Sequence, residues 1–366
     1  MTDLGSAHAL GTLLEGRGER LDNYTRVTVN SGRNVVVALA RAEAHGVLIK
    51  QHRPRIADRL PMELAVHTEI LDTAPAFGGD RIFVPRLLRS QPADRLLEFE
   101  LVPDAVSLAD KMAEPGDAGK AVPARRFEEL GSFIGEFHAY TATMEIPDVL
   151  SEPAVDLELL QMVDFDHLTP ERCAELSQGE LQLARTVQRD APLTASLARL
   201  SRAVEARCLI HGDLRGENVL LPAGSRERMA LIDWELCRLS DPAVDLGHFI
   251  GSLLHRVLYA VRAEQPTVAS WQAAAEPRMA ALAPLTSSFW RGYRSGAGAF
   301  AEAQPLLALL TACHAGSALL SRTAGALRST GELTPRDLLV VGVARRLLVE
   351  PLWAKARFLL DEGGVR

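Results

Sequence analysis

Three polar side chains in one part of the sequence have the types and the spacing that phosphoryl transfer requires. The segment HGDLRGENVLL (211–221) contains Asp213 and, five residues later, Asn218, and Asp233 follows the next short apolar run. Phosphoryl transfer needs a carboxylate that orients and deprotonates the attacking hydroxyl, and oxygen ligands for the Mg²⁺ that bridges the phosphates. An Asp, an Asn and a second Asp in this order can supply these groups.

Each of these residues taken singly has an ordinary alternative role. Asp and Asn side chains cap turns routinely, and the segment lies between two short apolar runs that predict strands. The set of three at this spacing favours the chemical interpretation over turn capping. A metal-dependent hydrolase that used His211 and Asp213 would need more clustered His or carboxylate ligands than this loop provides.

The stretch 207–247 resembles the catalytic segment of the aminoglycoside phosphotransferase family, a branch of the protein-kinase-like superfamily. The resemblance rests on HGDLRGENVLL, on LIDWE (231–235) and on DPAVDLG (241–247). By position it implies that Asp213 is the catalytic base and that Asn218 and Asp233 are Mg²⁺ ligands. It also implies that Asp245 steadies the loop from behind and that His211 is structural.

Arg215 lies two residues after Asp213, where protein kinases often carry a Lys that touches the transferred phosphate. It is a candidate for stabilising the charge that develops on that group, and a solvated loop charge is the alternative. The segment departs from protein kinases at their D-F-G motif, where it has Asp233-Trp234-Glu235, and it lacks a later A-P-E. Control by an activation loop is therefore not expected.

The elements that must position this loop begin with a predicted antiparallel meander. Three β-branched clusters lie between Tyr24 and Gln51, separated by the turn-forming runs 30–34 and 44–46. Apolar residues at helical spacing predict one helix from Leu60 to Ala74, with Pro61 in its first turn. Strand character returns between 81 and 103, and helices fill most of the chain beyond that point.

In the family that the sequence resembles, a Lys on the third strand reaches the α- and β-phosphates, and Lys50 occupies that place. Its Glu partner comes from the following helix. Glu63 is the preferred candidate, but helix phase leaves Glu69 open as the alternative. A solvated Lys at a strand end is the ordinary interpretation of Lys50 alone.

Two backbone sites complete the nucleotide site that the resemblance implies. The turn 30–34 resembles a short nucleotide loop in which Ser31 and Gly32 let backbone N–H groups approach the phosphates, although plain hairpins carry similar residues. The run EFELVP (98–103) resembles the hinge between two lobes. There the backbone at Glu100 and Val102 is expected to bind the adenine edge.

These features together predict an α+β, bilobal, protein-kinase-like fold. Residues 1–102 are expected to form a small antiparallel-sheet lobe with one helix, and residues 103–366 a larger, mostly helical lobe. The expected activity is transfer of the γ-phosphate of ATP or GTP, with Mg²⁺, to a hydroxyl of a small molecule or of Ser or Thr in a biosynthetic peptide. An inactive kinase-like scaffold is the main rival, but Lys50, Asp213, Asn218 and Asp233 are all present.

Composition limits the remaining possibilities. The 366 residues are 47% apolar and carry a formal net charge of −7, which disfavours nucleic acid as a partner. The four cysteines form no C-x-x-C pair, so a zinc or redox motif is not expected. Residues 1–15 lack the pattern of a signal peptide and no apolar run is long enough to span a bilayer, so we expect a cytoplasmic protein without a membrane partner. The oligomeric state stays open.

The acceptor is the least determined part of the prediction. Its pocket is expected in residues 150–205 and 248–366, where His255, Trp290, Tyr293 and His314 are either pocket or core residues. Residues 251–366 hold thirteen Arg and Lys against eight Asp and Glu. A polycationic aminoglycoside needs a carboxylate-rich cleft. A neutral or anionic hydroxyl compound is therefore favoured over a drug-resistance substrate.

Overall fold

The computed structural model describes most of the chain. The described residues are 7–15, 19–31, 34–40, 46–53, 59–73, 77, 81–113, 122–151, 169–222, 228–265 and 267–359.

A five-stranded antiparallel sheet dominates the first hundred residues, in the order β1-β2-β3-β6-β5. Its strands are β1 (Arg26–Ser31), β2 (Val35–Ala40), β3 (Val47–Gln51), β5 (Leu87–Gln91) and β6 (Leu96–Glu100). Burial alternates along β2, so Val35, Val37 and Leu39 face a small core, and the predicted meander is confirmed. Strand β5 lies within the stretch 81–103 where strand character was expected, but burial does not alternate along it.

The helix that crosses this sheet is shorter than predicted and changes its winding. It runs as α2 from Leu60 to Ala65 and continues as a π-helix over Val66–Leu71, three residues short of the predicted end at Ala74. Pro61 lies in the first turn, as expected. The winding leaves Glu63 buried and Glu69 exposed.

Two small sheets surround the loop 211–218. One has the order β4-β10-β9-β7 and the other pairs β8 with β11. Their strands are β4 (Ile82–Phe83), β7 (Val106–Ser107), β8 (Cys208–Ile210), β9 (Val219–Leu221), β10 (Met229–Leu231) and β11 (Arg238–Ser240). Strand β4 pairs in parallel with β10, so a segment from the early part of the chain lies against the hairpin that follows the loop.

Beyond residue 103 the described chain is mostly helical, as predicted. The first hundred residues contain a second helix where one was expected, Ala7–Glu15, whose Leu10 and Leu14 pack on the small core of the sheet. The helices are α1 (Ala7–Glu15), α2 (Leu60–Ala65), α3 (Leu108–Ala113), α4 (Ala124–Thr141), α5 (Asp148–Ser151), α6 (Pro170–Glu175), α7 (Gln178–Gln188), α8 (Ala191–Ala203), α9 (Pro242–Tyr259), α10 (Val268–Ala297), α11 (Ala299–Glu302), α12 (Leu307–Thr330), α13 (Pro335–Val349) and α14 (Pro351–Phe358). Large side chains such as Phe127, Phe249 and Phe289 fill the core between α4, α9 and α10. Within the part of the chain described here, no helix has both the length and the hydropathy to cross a membrane.

Helices α4 and α10 approach each other closely along a row of glycines. A Cβ atom on Gly131 would lie 2.0 Å from the carbonyl oxygen of Phe289, and one on Gly292 would lie 2.0 Å from that of Glu128. Backbone atoms cannot move aside as a flexible side chain can. The two helices therefore pack backbone to backbone only because glycine occupies these positions.

We predict that Gly131→Ala lowers the free energy of unfolding by about 1–3 kcal/mol, because overpacking pushes the two helices apart. Gly342→Ala in α13 is the matched control, since nothing lies within 4 Å of a Cβ placed there. Replacing that helical glycine should stabilise the protein by about 0.5–1 kcal/mol. Urea denaturation followed by circular dichroism measures both changes, and equal stabilities of the two variants would contradict this account.

Candidate active site

The loop 211–218 leaves β8 through a turn that only glycine fits. Gly212 has a φ of +81°, and a Cβ there would meet the carbonyl oxygen of Leu236 at 2.1 Å. A short 3-10 turn, Gly216–Asn218, then leads into β9. Between these two turns Asp213 projects with 26% of its side chain exposed. This is enough for a second molecule to reach its carboxylate.

The Asp245 carboxylate holds the beginning of this loop. It accepts hydrogen bonds from the backbone N–H groups of His211 (2.7 Å) and Gly212 (2.9 Å), and His138 Nε2 lies 3.3 Å from it. Burial alone would raise the pKa of Asp245, but the bond and the charge of His138, together with His211, outweigh it and lower the pKa. His138 in turn lies 3.3 Å from the Tyr293 hydroxyl on α10, so the glycine-packed helices support the loop.

Asn218 connects Asp213 with the next strand. Its amide nitrogen donates to the backbone oxygen of Asp213 (2.8 Å) and to its carboxylate (3.1 Å). Its backbone oxygen accepts from the N–H of Ile232 at 3.0 Å, which brings Asp233 beside the loop. Within the described residues both side-chain bonds of Asn218 use the amide nitrogen, which leaves its amide oxygen for another ligand.

Asp233 adopts a left-handed backbone conformation with a φ of 67°. Asp and Asn tolerate this region better than other non-glycine residues. The neighbouring Trp234 is fully buried, with its ring 4.5 Å from that of His211. Anchoring of this ring in the core fixes the carboxylates on either side of it, those of Asp233 and Glu235.

The two aspartates predicted from the sequence meet in one site. Burial raises the pKa of Asp213, and the negative charge of Asp233 raises it further, while Arg215 acts in the opposite direction. The guanidinium of Arg215 lies 3.2 Å from the Asp213 carboxylate and is half-exposed. The loop therefore presents a carboxylate with a raised pKa beside a second carboxylate and one cation.

Lys50 reaches this site from β3. Its ammonium lies 2.9 Å from Glu63, 2.6 Å from Asp233 and 2.9 Å from Glu235. Burial alone would lower the pKa of Lys50, but these three carboxylates raise it above its ordinary value, so the ammonium stays charged. Of the two glutamates considered from the sequence, Glu63 forms the ion pair and Glu69 does not.

Glu235 is a member of the site that sequence reasoning missed. Its carboxylate is 8% exposed and accepts hydrogen bonds from Asn34 (2.5 Å) and Arg59 (3.0 Å) in addition to Lys50. The available sequence signal for Glu235 was that it stands where the D-F-G motif of protein kinases has its Gly. Glu235, Glu63 and His52 also lie close enough together to hold a metal ion, but the Lys50 ammonium already lies between the two carboxylates.

The remaining predicted residues lie in several places. Ser31 ends β1 and Gly32 lies outside the described residues. Glu100 ends β6 and is followed two residues later by the half-buried Val102. Of the four side chains considered for an acceptor pocket, three are buried in the core and one, which stacks on Tyr259, is half-buried; they are Trp290, Tyr293, His314 and, half-buried, His255.

Comparison with known proteins gives a consistent picture. The model of the phosphotransferase enzyme family (APH) matches residues 18–285. Similar solved structures include the choline kinase LicA from Streptococcus pneumoniae (TM-score 0.51, 14% identity, 94% of this chain and 100% of that chain). A choline kinase from Cryptosporidium parvum Iowa II has a TM-score of 0.53 and 12% identity, covering 96% of each chain. The amicoumacin kinase hAmiN in complex with AMP-PNP, Ca²⁺ and Ami has a TM-score of 0.52 and 14% identity, covering 88% of each chain. No curated protein sequence matches the chain. At these identities the structures show a shared fold.

The ion pair between Glu63 and Lys50 predicts how the free energy of unfolding depends on pH. Burial alone would raise the pKa of Glu63, but Lys50 and His52 lower it from 4.5 to about 2. Because the folded pKa is the lower one, ionised Glu63 stabilises the fold above pH 4.5, and this contribution is lost as the pH falls towards 2. At pH 7 we expect Glu63→Gln to lower the free energy of unfolding by roughly 3 kcal/mol.

The matched control is Glu69→Gln, an exposed glutamate of the same helical segment, which should leave stability unchanged. Urea titrations at successive pH values should show the gap between wild type and Glu63→Gln closing below pH 4.5. A gap that stayed constant down to low pH would contradict the ion pair as its cause.

Proposed function

Since this chain belongs to the APH phosphotransferase enzyme family, we propose that it transfers the γ-phosphoryl group of ATP to a substrate hydroxyl, with Asp213 as base. The observation that carries this proposal is the convergence of Asp213, Asn218, Asp233 and Lys50 in one half-open site. The first three come from one segment of the chain and Lys50 comes from a distant strand. Turn capping would not require them to meet.

Asp213 has the properties of a general base. The amide of Asn218 and the guanidinium of Arg215 fix its carboxylate in one orientation, and its exposed edge is open to an acceptor. Its raised pKa makes the Asp213 carboxylate a better proton acceptor than an ordinary aspartate. Arg215, beside Asp213, is suited to stabilise the negative charge of the phosphoryl group during transfer.

Asn218 and Asp233 would hold Mg²⁺. An amide oxygen and a carboxylate are oxygen donors of the kind that this ion binds, and among the described residues the hydrogen bonds of the Asn218 side chain use only its amide nitrogen. When bound, Mg²⁺ neutralises charge on the β- and γ-phosphates. Lys50, fixed by Glu63, would orient the phosphates beside these ligands.

The adenine would lie against the chain at Glu100 and Val102. The N–H groups of Glu100 and Leu101 are used by Arg86 and Gly46, whereas the Val102 N–H has no hydrogen bond within the described part of the chain. Such a group can bind an adenine edge nitrogen. The turn with Ser31 and Gly32 would cover the phosphates. In this proposal residues 1–102 and 103–366 act as the two lobes on either side of the nucleotide.

The acceptor is a hydroxyl compound, and its charge is the property that the chain restricts best. The excess of Arg and Lys over Asp and Glu in residues 251–366 favours a neutral or anionic small molecule, or a Ser or Thr side chain of a peptide. Solved structures of the same fold carry the names choline kinase and amicoumacin kinase, so choline belongs in the test panel as a cationic comparison.

We predict that Asp213→Asn abolishes transfer while it leaves nucleotide affinity within about twofold, because the base touches the acceptor and not the nucleotide. Wild type and variant would be incubated with labelled ATP, Mg²⁺ and a panel of choline, sugars, aminoglycosides and Ser/Thr peptides. Phosphate uptake identifies the acceptor, and a fluorescent ATP analogue reports binding. A variant that keeps more than a few per cent of the rate would remove Asp213 as base.

We predict that Asn218→Ala and Asp233→Asn both raise the Mg²⁺ concentration needed for half-maximal transfer, with the larger effect at Asp233 because it provides the charged ligand. Asn is chosen at position 233 since it tolerates the positive φ there. Rates measured over a Mg²⁺ titration, with Asp110→Asn as a surface control, give the comparison. An unchanged Mg²⁺ dependence would exclude these two residues as ligands.

A further inference from the structure

A half-buried group of aromatic and basic side chains lies where three helices of the helical part meet. The end of α9 contributes His255 and Tyr259, the beginning of α10 contributes Trp271 and the beginning of α13 contributes Arg336. The guanidinium carbon of Arg336 lies 5.9 Å from the centre of the Tyr259 ring and 6.0 Å from that of Trp271. His255 stacks on the Tyr259 ring, with 4.2 Å between the ring centres. We call these four residues the Arg336 cluster.

Three nitrogen atoms of the Arg336 cluster are buried without a hydrogen-bond partner. They are His255 Nε2, Trp271 Nε1 and Arg336 Nε, and none of them has a partner among the residues that the structure describes. A buried nitrogen without a partner costs free energy, so folded proteins contain few of them. Three around one pair of aromatic rings indicate a surface that binds a ligand.

The types of these nitrogens restrict the ligand to one that accepts hydrogen bonds. An indole Nε1 and a guanidinium Nε can only donate, and Arg336 carries a permanent positive charge. The neighbouring Asp337 uses its carboxylate elsewhere: one oxygen accepts from the Tyr259 hydroxyl, and the other accepts from the backbone N–H and the hydroxyl of Thr334. A carboxylate or a phosphate group matches a cation with adjacent donors.

A row of side chains connects the Arg336 cluster with the loop 211–218. Ser252, one turn before His255 on α9, accepts a hydrogen bond from the backbone N–H of Gly216 at 3.2 Å. The next residue of the loop, Glu217, lies 3.6 Å from Arg322 of α12. Burial, and then the charge of Arg322, lower the pKa of His255 to about 4, so its imidazole is neutral at pH 7. Loop, row and cluster therefore follow one side of α9.

The length of this row bears on the size of the ligand. Ser252 at the loop and Tyr259 in the cluster are seven residues apart, which places them on the same face of α9 and about 10 Å apart along its axis. A molecule that reaches both the loop and the cluster must span at least this distance. A compound as small as choline does not.

We propose that the Arg336 cluster binds a carboxylate or phosphate group of the acceptor, well away from the hydroxyl that receives the phosphoryl group. The acceptor is then an extended hydroxyl compound with an anionic group at its far end. Arg336 and Trp271 determine specificity and take no part in the chemical step. This inference rests on the proposed function, in which the transfer takes place at Asp213.

Binding to the cluster can be measured without the acceptor itself. The probes are benzoate and phenyl phosphate, each of which combines an anionic group with a ring, and benzamide, the uncharged analogue of benzoate. Ligand-observed NMR titrations would give dissociation constants for wild type, Arg336→Gln and Arg336→Lys, and melting temperatures would show that each variant folds. Arg278→Gln, which changes an exposed arginine of α10, is the matched control.

Wild type should bind the better of the two anionic probes at least tenfold more tightly than benzamide, because a guanidinium bonds strongly to a charged group. The preferred probe distinguishes a carboxylate ligand from a phosphate ligand. Arg336→Gln should bind that probe about tenfold more weakly, and Arg336→Lys about threefold, since lysine keeps the charge but not the planar fork. Arg278→Gln should behave as wild type.

The proposal would be overturned by equal affinities of wild type for the charged and uncharged probes. Wild-type affinity in a folded Arg336→Gln would overturn it as well. If Arg336→Gln does not fold, Trp271→Phe decides, because this change keeps a ring and removes one donor. An unchanged affinity for the preferred probe in Trp271→Phe would then refute the site.

A kinetic measurement connects the cluster with the transfer. With an acceptor found by phosphate uptake, Arg336→Gln should raise the acceptor KM about tenfold and leave kcat and the affinity for AMP-PNP unchanged. An unchanged acceptor KM would exclude the cluster from the acceptor site. A wild type that phosphorylates no compound of the panel would instead refute the proposed function and with it the acceptor role, whereas the probe titrations decide the anion site by themselves.

Discussion

A single buried ammonium group determines how the parts of this protein are arranged. Lys50 is 6% exposed, and removing such a charge from water costs several kcal/mol unless oppositely charged groups surround it. Its three carboxylates come from α2 and from the segment after β10. The five-stranded sheet, the helix that crosses it and the segment 207–247 are therefore fixed to one point. The three carboxylates carry more negative charge than Lys50 alone can balance. Arg59 donates to Glu235, and His52 lies beside Glu63.

A second, independent set of contacts holds the loop 211–218 on the side of the helices. Asp245 at the beginning of α9 binds the backbone of the loop, and His138 and Tyr293 extend this contact to α4 and α10. Those two helices can approach so closely because of their glycines. The loop is thus held by rigid helices on one side and by the Lys50 cluster on the other. Such rigid support suits a reactive site, because a small displacement of a reacting carboxylate lowers the rate of a reaction.

The sequence predicts those parts of the site whose residue types and spacing are distinctive. The spacing of Asp213, Asn218 and Asp233 favours a shared chemical role over turn capping, and the β-branched runs around Lys50 predict its strand. Glu235 could not be assigned in this way, because its meaning depends on Asn34 and Arg59, which only the fold brings to it. Strands of two or three residues, such as β4, β7 and β11, are too short for a periodic pattern. The π-helical turn that leaves Glu69 exposed likewise has no distinct sequence signal.

The sheet β4-β10-β9-β7 has a consequence for how the chain acquires its structure during synthesis. Strands β4 and β7 are synthesised early, but their partners in the hairpin β9–β10 follow only after all the helices from α3 to α8. Until then Ile82 and Phe83 have unpaired edges, and Lys50 lacks two of its three carboxylates. Contacts so distant in sequence form slowly and leave apolar surface open in the meantime. The edge of β4 and the surroundings of Lys50 therefore stay incomplete until the segment 229–235 has been synthesised.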